Sequence, residues 1–188
     1  MRKLADLDRI RRFMRAVGRA APVETRLYFT GGATAVLLGW RSTTVDVDIR
    51  FFPETDQVFR SVPRLKEDLK INIELASPSD FIPELPGWRE RSLFAAREGR
   101  VSFYHYDPYS QALAKIERRH AQDLKDVEAL GRGGWIEPEN LMRLFAAIES
   151  RLYRYPAIDP KSFRQAVERV ADSLEHGDAG TGTEPLEG

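Results

Sequence analysis

The chain has 188 residues, of which 29 are basic and 29 acidic, and it contains no cysteine. The absence of cysteine excludes disulfides, thiolate zinc sites and a cysteine nucleophile, and the balanced charge argues against a protein that coats nucleic acid through net charge alone. No apolar run approaches the roughly 20 residues of a membrane span, and the first residues lack the apolar stretch of a signal peptide, so we expect a cytoplasmic protein without membrane contact.

The first part of the chain predicts alternating helices and strands. Apolar residues recur at helical spacing over about residues 4–20, and short apolar runs at about residues 27–29 and 45–51 predict two strands. Between these strands we expect a short helix over about residues 34–40, and after them a helix over about residues 56–69. These elements enclose the two motifs that indicate a chemical function.

A glycine pair, Gly31-Gly32, precedes the short helix, and two carboxylates, Asp46 and Asp48, share one strand. A residue without a side chain lets backbone N–H groups approach a phosphate, and the following helix adds its positive dipole end. Residues i and i+2 of a strand point to the same face, so both carboxylates aim together. Because adjacent carboxylates repel each other and oxygen-only ligands favour Mg²⁺ or Mn²⁺ over zinc, the segment predicts a phosphate cradle beside half of a metal site.

The glycine pair and the Asp-x-Asp strand together resemble the signature of the nucleotidyltransferase superfamily of the DNA polymerase beta type. That signature is Gly-Gly or Gly-Ser after an apolar residue, a short helix, and then Asp-x-Asp flanked by apolar residues. Residues 38–48, with Arg41 and a Ser/Thr stretch before the aspartates, are similar to a small bacterial branch related to AbiEii-type toxins. Relatives often have Ser after the glycine pair where this chain has Ala33, so Thr30 or Thr34 would supply that phosphate contact.

The resemblance implies roles for the residues of both motifs. Asp46 and Asp48 would hold metal ions, Mg²⁺ or Mn²⁺, and Gly31 and Gly32 would hold the phosphates of a nucleoside triphosphate through their backbone N–H groups. Arg41 would counter the charge of the triphosphate.

The resemblance also implies a third carboxylate on a later strand. Glu74 is the candidate, because residues 71–75 alternate between apolar and polar and predict a half-buried strand. Glu74 would either complete the shell of a metal ion or accept the proton of the incoming hydroxyl group. The alternative is a solvent-facing glutamate without a chemical role.

A long helix is predicted over about residues 108–130. One stripe of that helix, at 3.6 residues per turn, would carry Lys115, Arg119, Gln122 and Asp126. The resemblance implies that Lys115 reaches the nucleotide phosphates as a point charge, although Gln122 stands where relatives often have Lys. The alternative is a solvated helix face with i,i+4 ion pairs such as Arg119 with Asp123.

The remaining sequence predicts a hairpin and further helices. Strands over about residues 93–96 and 101–106 would turn at residues 97–100, and the second strand is aromatic, so that its rings either pack or stack on a base. Helices are expected at about residues 139–152 and 161–175, with a proline near each start.

The resemblance implies an α+β fold in which a small mixed nucleotidyltransferase-like sheet is flanked by helices and followed by a C-terminal helical part. We expect a core with the N-terminal helix over residues 1–135 and C-terminal helices over residues 136–176 that pack on this core. The glycine-rich, acidic residues 177–188 are expected to be disordered.

The function that the resemblance implies is metal-dependent transfer of a nucleoside monophosphate from a nucleoside triphosphate to a hydroxyl group. The acceptor would be an RNA end, such as that of tRNA, or a protein, and the biological setting a toxin-antitoxin or phage-defence pair with an antitoxin partner. Two alternatives remain open. One is a non-catalytic nucleotide- or partner-binding module of the same fold, suggested by Ala33, Gln122 and the position of Glu74, and the other is an aminoglycoside-modifying enzyme.

Overall fold

The computed structural model describes residues 3–53 and 56–177, and the fold is α+β, as predicted. The helices of these residues are α1 (Leu7–Ala20), α2 (Gly31–Leu37), α3 (Asp56–Leu69), α4 (Trp88–Arg91), α5 (Pro108–Arg118), α6 (Ala121–Arg132), α7 (Pro138–Glu149) and α8 (Pro160–Gly177). The strands are β1 (Ala5–Asp6), β2 (Thr25–Thr30), β3 (Thr43–Thr44), β4 (Asp46–Phe52), β5 (Asn72–Leu75), β6 (Leu93–Glu98) and β7 (Val101–His105). Within the described residues, no helix is both long and apolar enough to cross a membrane.

The chain divides into two compact units. The first contains the described part of Met1–Phe81 together with Gly87–Gln111, and the second contains Ile82–Pro86 and the described residues from Ala112 onward. The division falls within α5, and the predicted domain bounds of residues 1–135 and 136–176 stay a prediction. The predicted disordered tail lies outside the described residues after Gly177.

Most of the predicted elements of the first unit are present. Helix α3 has the predicted bounds, and β6 and β7 form the predicted hairpin with a shorter turn. Helix α1 begins at Leu7, because Asp6 caps it by accepting the Arg9 backbone N–H at 2.9 Å. Helix α2 begins at Gly31, three residues before the predicted start, so the glycine pair forms its first turn.

A five-stranded mixed sheet with the order β5-β4-β2-β7-β6 forms the centre of the first unit. Strand β2 pairs antiparallel with β4 and parallel with β7, while β4 pairs parallel with β5 and β6 pairs antiparallel with β7. The short strands β1 and β3 pair separately as an antiparallel ribbon. Strands β4 and β2 are therefore interior strands whose side chains have neighbours on both sides.

One face of this sheet forms the apolar core of the unit. Val47, Ile49 and Phe51 alternate along β4 and are at most 2% exposed, as a strand with one buried face requires. The same cluster includes residues at helical spacing on α1, which are Ile10, Phe13, Met14 and Val17. Helix α1 thus covers the core face, and the polar residues of the strands lie on the other face.

The opposite face carries a second, aromatic cluster next to the polar residues. Tyr28, Trp88 and Tyr106 are each at most 3% exposed, and the rings of Trp88 and Tyr106 stack at 4.3 Å with an interplanar angle of 5°. Tyr104 packs against this cluster, with its ring 5.4 Å from that of Tyr28. The guanidinium of Arg50, two residues after Asp48, lies 5.1 Å from the Trp88 ring. Aromatic and polar residues therefore share this side of the sheet.

The second unit is helical. Helices α7 and α8 pack through apolar residues such as Phe145 and Phe163, whose rings meet edge to face at 5.0 Å. Arg164 of α8 forms an ion pair with Glu149 of α7 at the side of this contact. An apolar pocket of about 270 Å³ is lined mostly by residues of α6 and α8, among them Val127 and Val170. These contacts give the unit a core of its own.

The predicted single helix over residues 108–130 is wrong, because the chain forms α5 and α6 instead. Arg119 has a φ of +57°, in the left-handed region, and the extended His120 is the N-cap residue of α6. The break takes Arg119 out of the predicted stripe, and its guanidinium donates to the Glu117 carbonyl rather than to Asp123. Lys115 and Gln122 still reach Asp126, at 2.5 and 3.5 Å. Arg118 instead donates to both carboxylate oxygens of Asp123, at 2.9 and 2.7 Å. Neither Gly nor Pro lies in residues 118–121, so the sequence carried no signal for this break.

Candidate functional site

Two aspartates lie on the polar face of the interior strand β4. Asp46 and Asp48 alternate with the buried Val47 and Ile49, so both carboxylates point away from the apolar core and are half-buried. In the sheet register Asp46 lies opposite Asn72 of β5, and Asp48 lies opposite Glu74. The parallel pairing of β4 and β5 thus brings three carboxylates and one amide to one face.

Asn72 links two of these carboxylates. Its Nδ2 donates to Asp46 Oδ1 at 2.7 Å and to Glu74 Oε1 at 2.8 Å. A donor shared by two carboxylates partly offsets their mutual repulsion. The sequence placed Asn72 on the face of Glu74 by alternation, but no role was predicted for it, although the pairing of the two strands makes it a neighbour of Asp46.

Glu74 is exposed, and it lies beside the aspartates through the strand register rather than through a direct bond to them. Within residues 3–53 and 56–177, no group of three or more His, Asp or Glu side chains is arranged so that it could hold a metal ion. The donors on this face are nevertheless carboxylate oxygens, together with an amide that presents oxygen when its end is rotated. These oxygen donors fit a hard divalent cation. In the observed arrangement, however, the Asn72 side chain occupies the space between Asp46 and Glu74 by donating to both.

Gly31 lies directly against Asp48. Its φ is +58°, and a Cβ added at this position would lie 2.8 Å from Asp48 Oδ2. Glycine is therefore required twice, by the left-handed backbone and by the close approach of the carboxylate. The backbone N–H of Gly31 donates to Oε1 of Gln111 at 2.9 Å. The N–H group that the sequence assigned to a phosphate thus has a side-chain partner in this structure, and Gln111 is a second residue that sequence reasoning missed.

Gly32 is required by packing. A Cβ here would lie 2.0 Å from Oγ1 and 2.7 Å from Cβ of Thr44, and 3.4 Å from Nη1 of Arg41. Strand β3 therefore passes against the first turn of α2, and the Arg41 guanidinium lies beside the glycine pair. Of the predicted residues, Arg41 is thus brought to the diglycine turn. Thr30 is also adjacent, as the register partner of Asp48 on β2.

The hydroxyl of Thr34 faces the interior. It donates to the Phe29 carbonyl at 3.1 Å and lies 3.4 Å from both His105 Nδ1 and Gln111 Nε2. Burial lowers the pKa of His105 to about 4, so this imidazole is neutral at physiological pH. Gln111 also donates to the Tyr106 carbonyl at 2.7 Å, which fixes the orientation of its amide. The buried polar network therefore holds Gln111 in place, and the side-chain oxygen of Gln111 accepts the Gly31 N–H of the diglycine turn.

Ala33 belongs to the apolar core cluster and is 0% exposed. A hydroxyl at this position would lie among apolar side chains, so the missing serine leaves the polar face unchanged. The departure from the superfamily signature is therefore a packing feature here.

Lys115 lies in the second unit and is 6% exposed. Its Nζ is 2.5 Å from Asp126 Oδ2 and 3.3 Å from Asp123 Oδ1. Burial by itself would raise the pKa of Asp123, but the hydrogen bonds and charges of Arg118 and Lys115 lower it. The structure thus places Lys115 in a buried ion-pair network, and its contact with nucleotide remains a prediction.

The chain matches a family model. A model described as "Nucleotidyltransferase of unknown function (DUF6036)" matches residues 5–171, which include β4, β5, the diglycine turn and most of α8. No curated protein and no solved structure matches the chain. The relationship to AbiEii-type toxins therefore remains a prediction from the sequence.

Proposed function

Because the chain belongs to the family of nucleotidyltransferases of unknown function DUF6036, we propose that it transfers a nucleoside monophosphate from a nucleoside triphosphate to a hydroxyl group and releases pyrophosphate. The observation that carries this proposal is the contact of Gly31 with Asp48 on a face that also presents Asp46 and Glu74. Backbone that approaches a carboxylate so closely would bring a triphosphate and the groups that hold its counter-ion to one point, which supports this proposal.

The carboxylates would bind a divalent cation. Asp46 and Asp48 would hold Mg²⁺ or Mn²⁺, with Glu74 as a further ligand, and the cation would offset the charge that develops during phosphoryl transfer. The amide of Asn72 would exchange its hydrogen bonds to Asp46 and Glu74 for contacts to the bound groups. Glu74 is the most exposed of these carboxylates, and it would alternatively accept the proton of the incoming hydroxyl group.

The diglycine turn would bind the triphosphate. Gly31 would release its N–H from Gln111 and donate it to a phosphate oxygen, and Gly32 would present its backbone beside it. Arg41 lies next to Gly32 and would counter the triphosphate charge. Of the two threonine candidates, Thr30 would contact the phosphates, because it lies beside Asp48 whereas the hydroxyl of Thr34 donates to the Phe29 carbonyl in the buried network.

The test removes the paired carboxylates. We expect the variant with Asp46→Ala and Asp48→Ala to lose transfer of label from α-labelled nucleoside triphosphates by at least about a hundredfold, because several kcal/mol of charge stabilisation depend on them. The assay offers each of the four triphosphates with Mg²⁺ to bulk tRNA and to lysate protein. Unchanged transfer by this variant would refute the assigned roles.

A matched control removes two carboxylates elsewhere. Asp8 of α1 and Asp68 of α3 are exposed and form ion pairs within their own helices, so Asp8→Ala with Asp68→Ala should keep both the fold and the transfer. Circular dichroism and the melting temperature check that both double variants are folded.

The acceptor and the biological setting are further parts of this proposal. An RNA end such as that of tRNA, or a hydroxyl side chain of a protein, would accept the nucleotide, and the chain would be the toxin of a pair related to AbiEii systems, with an antitoxin partner in the cytoplasm. The sequence of residues 38–48 supports this setting. A mass increase on tRNA or on one protein identifies the acceptor.

A non-catalytic module of the same fold is the second candidate, and two observations favour it. The Gly31 N–H donates to Gln111, and Asn72 closes the space between Asp46 and Glu74. Such a module would bind a triphosphate without turnover. Titration calorimetry with each triphosphate and Mg²⁺ measures binding, which both candidates predict. A pyrophosphate assay in the presence of acceptor then separates them, because only the enzyme releases pyrophosphate.

A further inference from the structure

A row of alternating arginine and aromatic side chains crosses the sheet on the face of the aspartates. We call it the aromatic row, and it consists of Arg89, Phe52, Arg26, Tyr104 and Phe94. Neighbours in the row touch or face each other, since the Arg89 guanidinium lies 4.1 Å from the Phe52 ring and Phe52 is the register partner of Arg26. The Arg26 guanidinium lies 6.0 Å from the Tyr104 ring, which meets the Phe94 ring edge to face at 5.7 Å. The row therefore spans β4, β2, β7 and β6.

Most of the row is exposed, including two phenylalanines, a residue type that proteins usually bury. Phe94 is 62% exposed and Phe52 is 38% exposed, and both arginines are exposed. Tyr104 is half-buried against the aromatic cluster beneath it. The Phe94 ring contacts that of Tyr104 across the strands but is itself mostly exposed, so burial in a core does not explain why this position is aromatic.

The charge of the row is positive. In the described part of the chain, the contacts of the Arg26 and Arg89 guanidinium groups are with aromatic rings and not with carboxylates. Arg97 of β6 forms an ion pair with Glu24, and this pair is neutral. The Arg89 guanidinium therefore lies on the Phe52 ring and that of Arg26 beside the half-buried Tyr104 ring, and neither has a carboxylate partner among the described residues.

We propose that the aromatic row binds single-stranded nucleic acid. Rings on a sheet surface stack on unpaired bases, and arginines between them bind the phosphates and add cation–π contacts, which is the combination that recognises single strands without reading their sequence. The row extends over about 14 Å from β6 to β4, because neighbouring strands lie about 4.8 Å apart, and its three rings offer platforms for two or three bases. A duplex does not expose base faces and would be bound only through its phosphates.

The row lies in the same unit and on the same sheet face as the aspartates. Phe52 follows Asp48 by four residues on β4, which corresponds to about 13 Å along the strand. About four stacked nucleotides, at about 3.4 Å each, cover this distance. On the proposed function, which this step presupposes, the row holds the acceptor strand while its terminal hydroxyl lies at the carboxylates.

The experiment measures fluorescence anisotropy of labelled twelve-nucleotide probes, oligouridylate and oligothymidylate, each alone and as a duplex with its complement. We expect both single strands to bind more tightly than the duplexes. The Phe94→Ala variant should weaken single-strand binding roughly tenfold, whereas Tyr104→Phe, which keeps the ring, should leave the affinity unchanged. Arg26→Ala with Arg89→Ala should reduce the slope of log affinity against log salt by about 1.4, the contribution of two phosphate contacts.

The matched control removes two arginines from the helix behind the sheet. Arg11 and Arg15 of α1 are exposed, so Arg11→Ala with Arg15→Ala changes the net charge equally without touching the row. The proposal would be overturned if wild-type protein binds neither single strand at about 100 times a typical micromolar dissociation constant. Equal loss of binding in the control pair and in the row pair would do the same.

Binding and chemistry are tested separately. The variant with Asp46→Ala and Asp48→Ala should still bind the oligouridylate probe, because the row is intact in it. Loss of transfer together with intact binding would support a binding surface that is separate from the carboxylates. Transfer without any oligonucleotide binding would overturn the proposed binding by the row and leave the proposed function in place. Binding of an acidic peptide to the row, with no binding of the oligonucleotides, would likewise overturn it.

Discussion

Lys115 is predicted to stabilise the fold of the second unit, and substitution of this residue distinguishes that role from nucleotide binding. Its ammonium group lies between Asp126, which is 0% exposed, and Asp123, which is 3% exposed. The Lys115→Met change keeps the length and apolar stem of the side chain and removes the charge. Two buried carboxylates then lose a cation that no solvent replaces.

The expected loss of stability is about 3–5 kcal/mol, because removal of one partner of a buried ion pair leaves an uncompensated charge. For a chain of this size that corresponds to a fall in melting temperature of about 6–20 °C. Arg118→Met is the matched control. The Arg118 side chain is 46% exposed, and Asp123 keeps Lys115 in that variant, so we expect about 1 kcal/mol or less.

Adding Asp126→Asn to Lys115→Met should recover at least about 1 kcal/mol, since the buried carboxylate with the shorter contact to Lys115 is then neutral. Differential scanning calorimetry of the four proteins measures these changes, and it resolves the transitions of the two units if they unfold separately. If Lys115→Met melts like the wild type and has lost triphosphate binding, the ion-pair reasoning is wrong and Lys115 is a nucleotide ligand.

Two further predictions concern the diglycine turn and the network beneath it. The folded-state pKa of His105 is about 4 and its unfolded value is about 6.5, so the unfolded chain binds more protons between these values. Stability should therefore be full above pH 6.5 and fall by up to roughly 3 kcal/mol as the pH drops to 4, and denaturant titrations of His105→Gln should lack this component. Gly32→Ala should destabilise by about 1–3 kcal/mol through its clash with Thr44, and Thr44→Gly should cost less in the Gly32→Ala background than alone.

The polar face of β4 and β5 was predictable because strand periodicity is a local rule. Asp46 and Asp48 had to share a face, and Glu74 had to share one with Asn72. The parallel pairing that makes Glu74 a neighbour of Asp48 is a long-range contact, and only the resemblance to a known superfamily indicated it. The fold class was predictable for the same two reasons.

Other features depend on contacts that a sequence does not display. The break at Arg119 contains no helix-breaking residue, and it accompanies ion pairs of Arg118 and Lys115 with Asp123, a contact between residues of two different helices. Gly32 was predicted as a phosphate contact, but the nearness of Thr44 already requires a glycine there. The aromatic row likewise forms only when four strands align, and the sequence showed just one of them as aromatic.

Two side-chain amides form hydrogen bonds with the groups that are proposed to bind the cation and the phosphates. Asn72 donates to Asp46 and Glu74, and Gln111 accepts the Gly31 N–H. A phosphate at the turn would replace the hydrogen bond of the Gly31 N–H by another hydrogen bond, an exchange with a small net free energy, and a cation would replace the amide donor of Asn72 at the carboxylates. The two amides therefore supply hydrogen-bond partners to the polar groups of the site before substrate and cation bind. On the proposed function, substrate affinity then derives mainly from the charges of the cation and triphosphate, and it should fall as salt concentration rises.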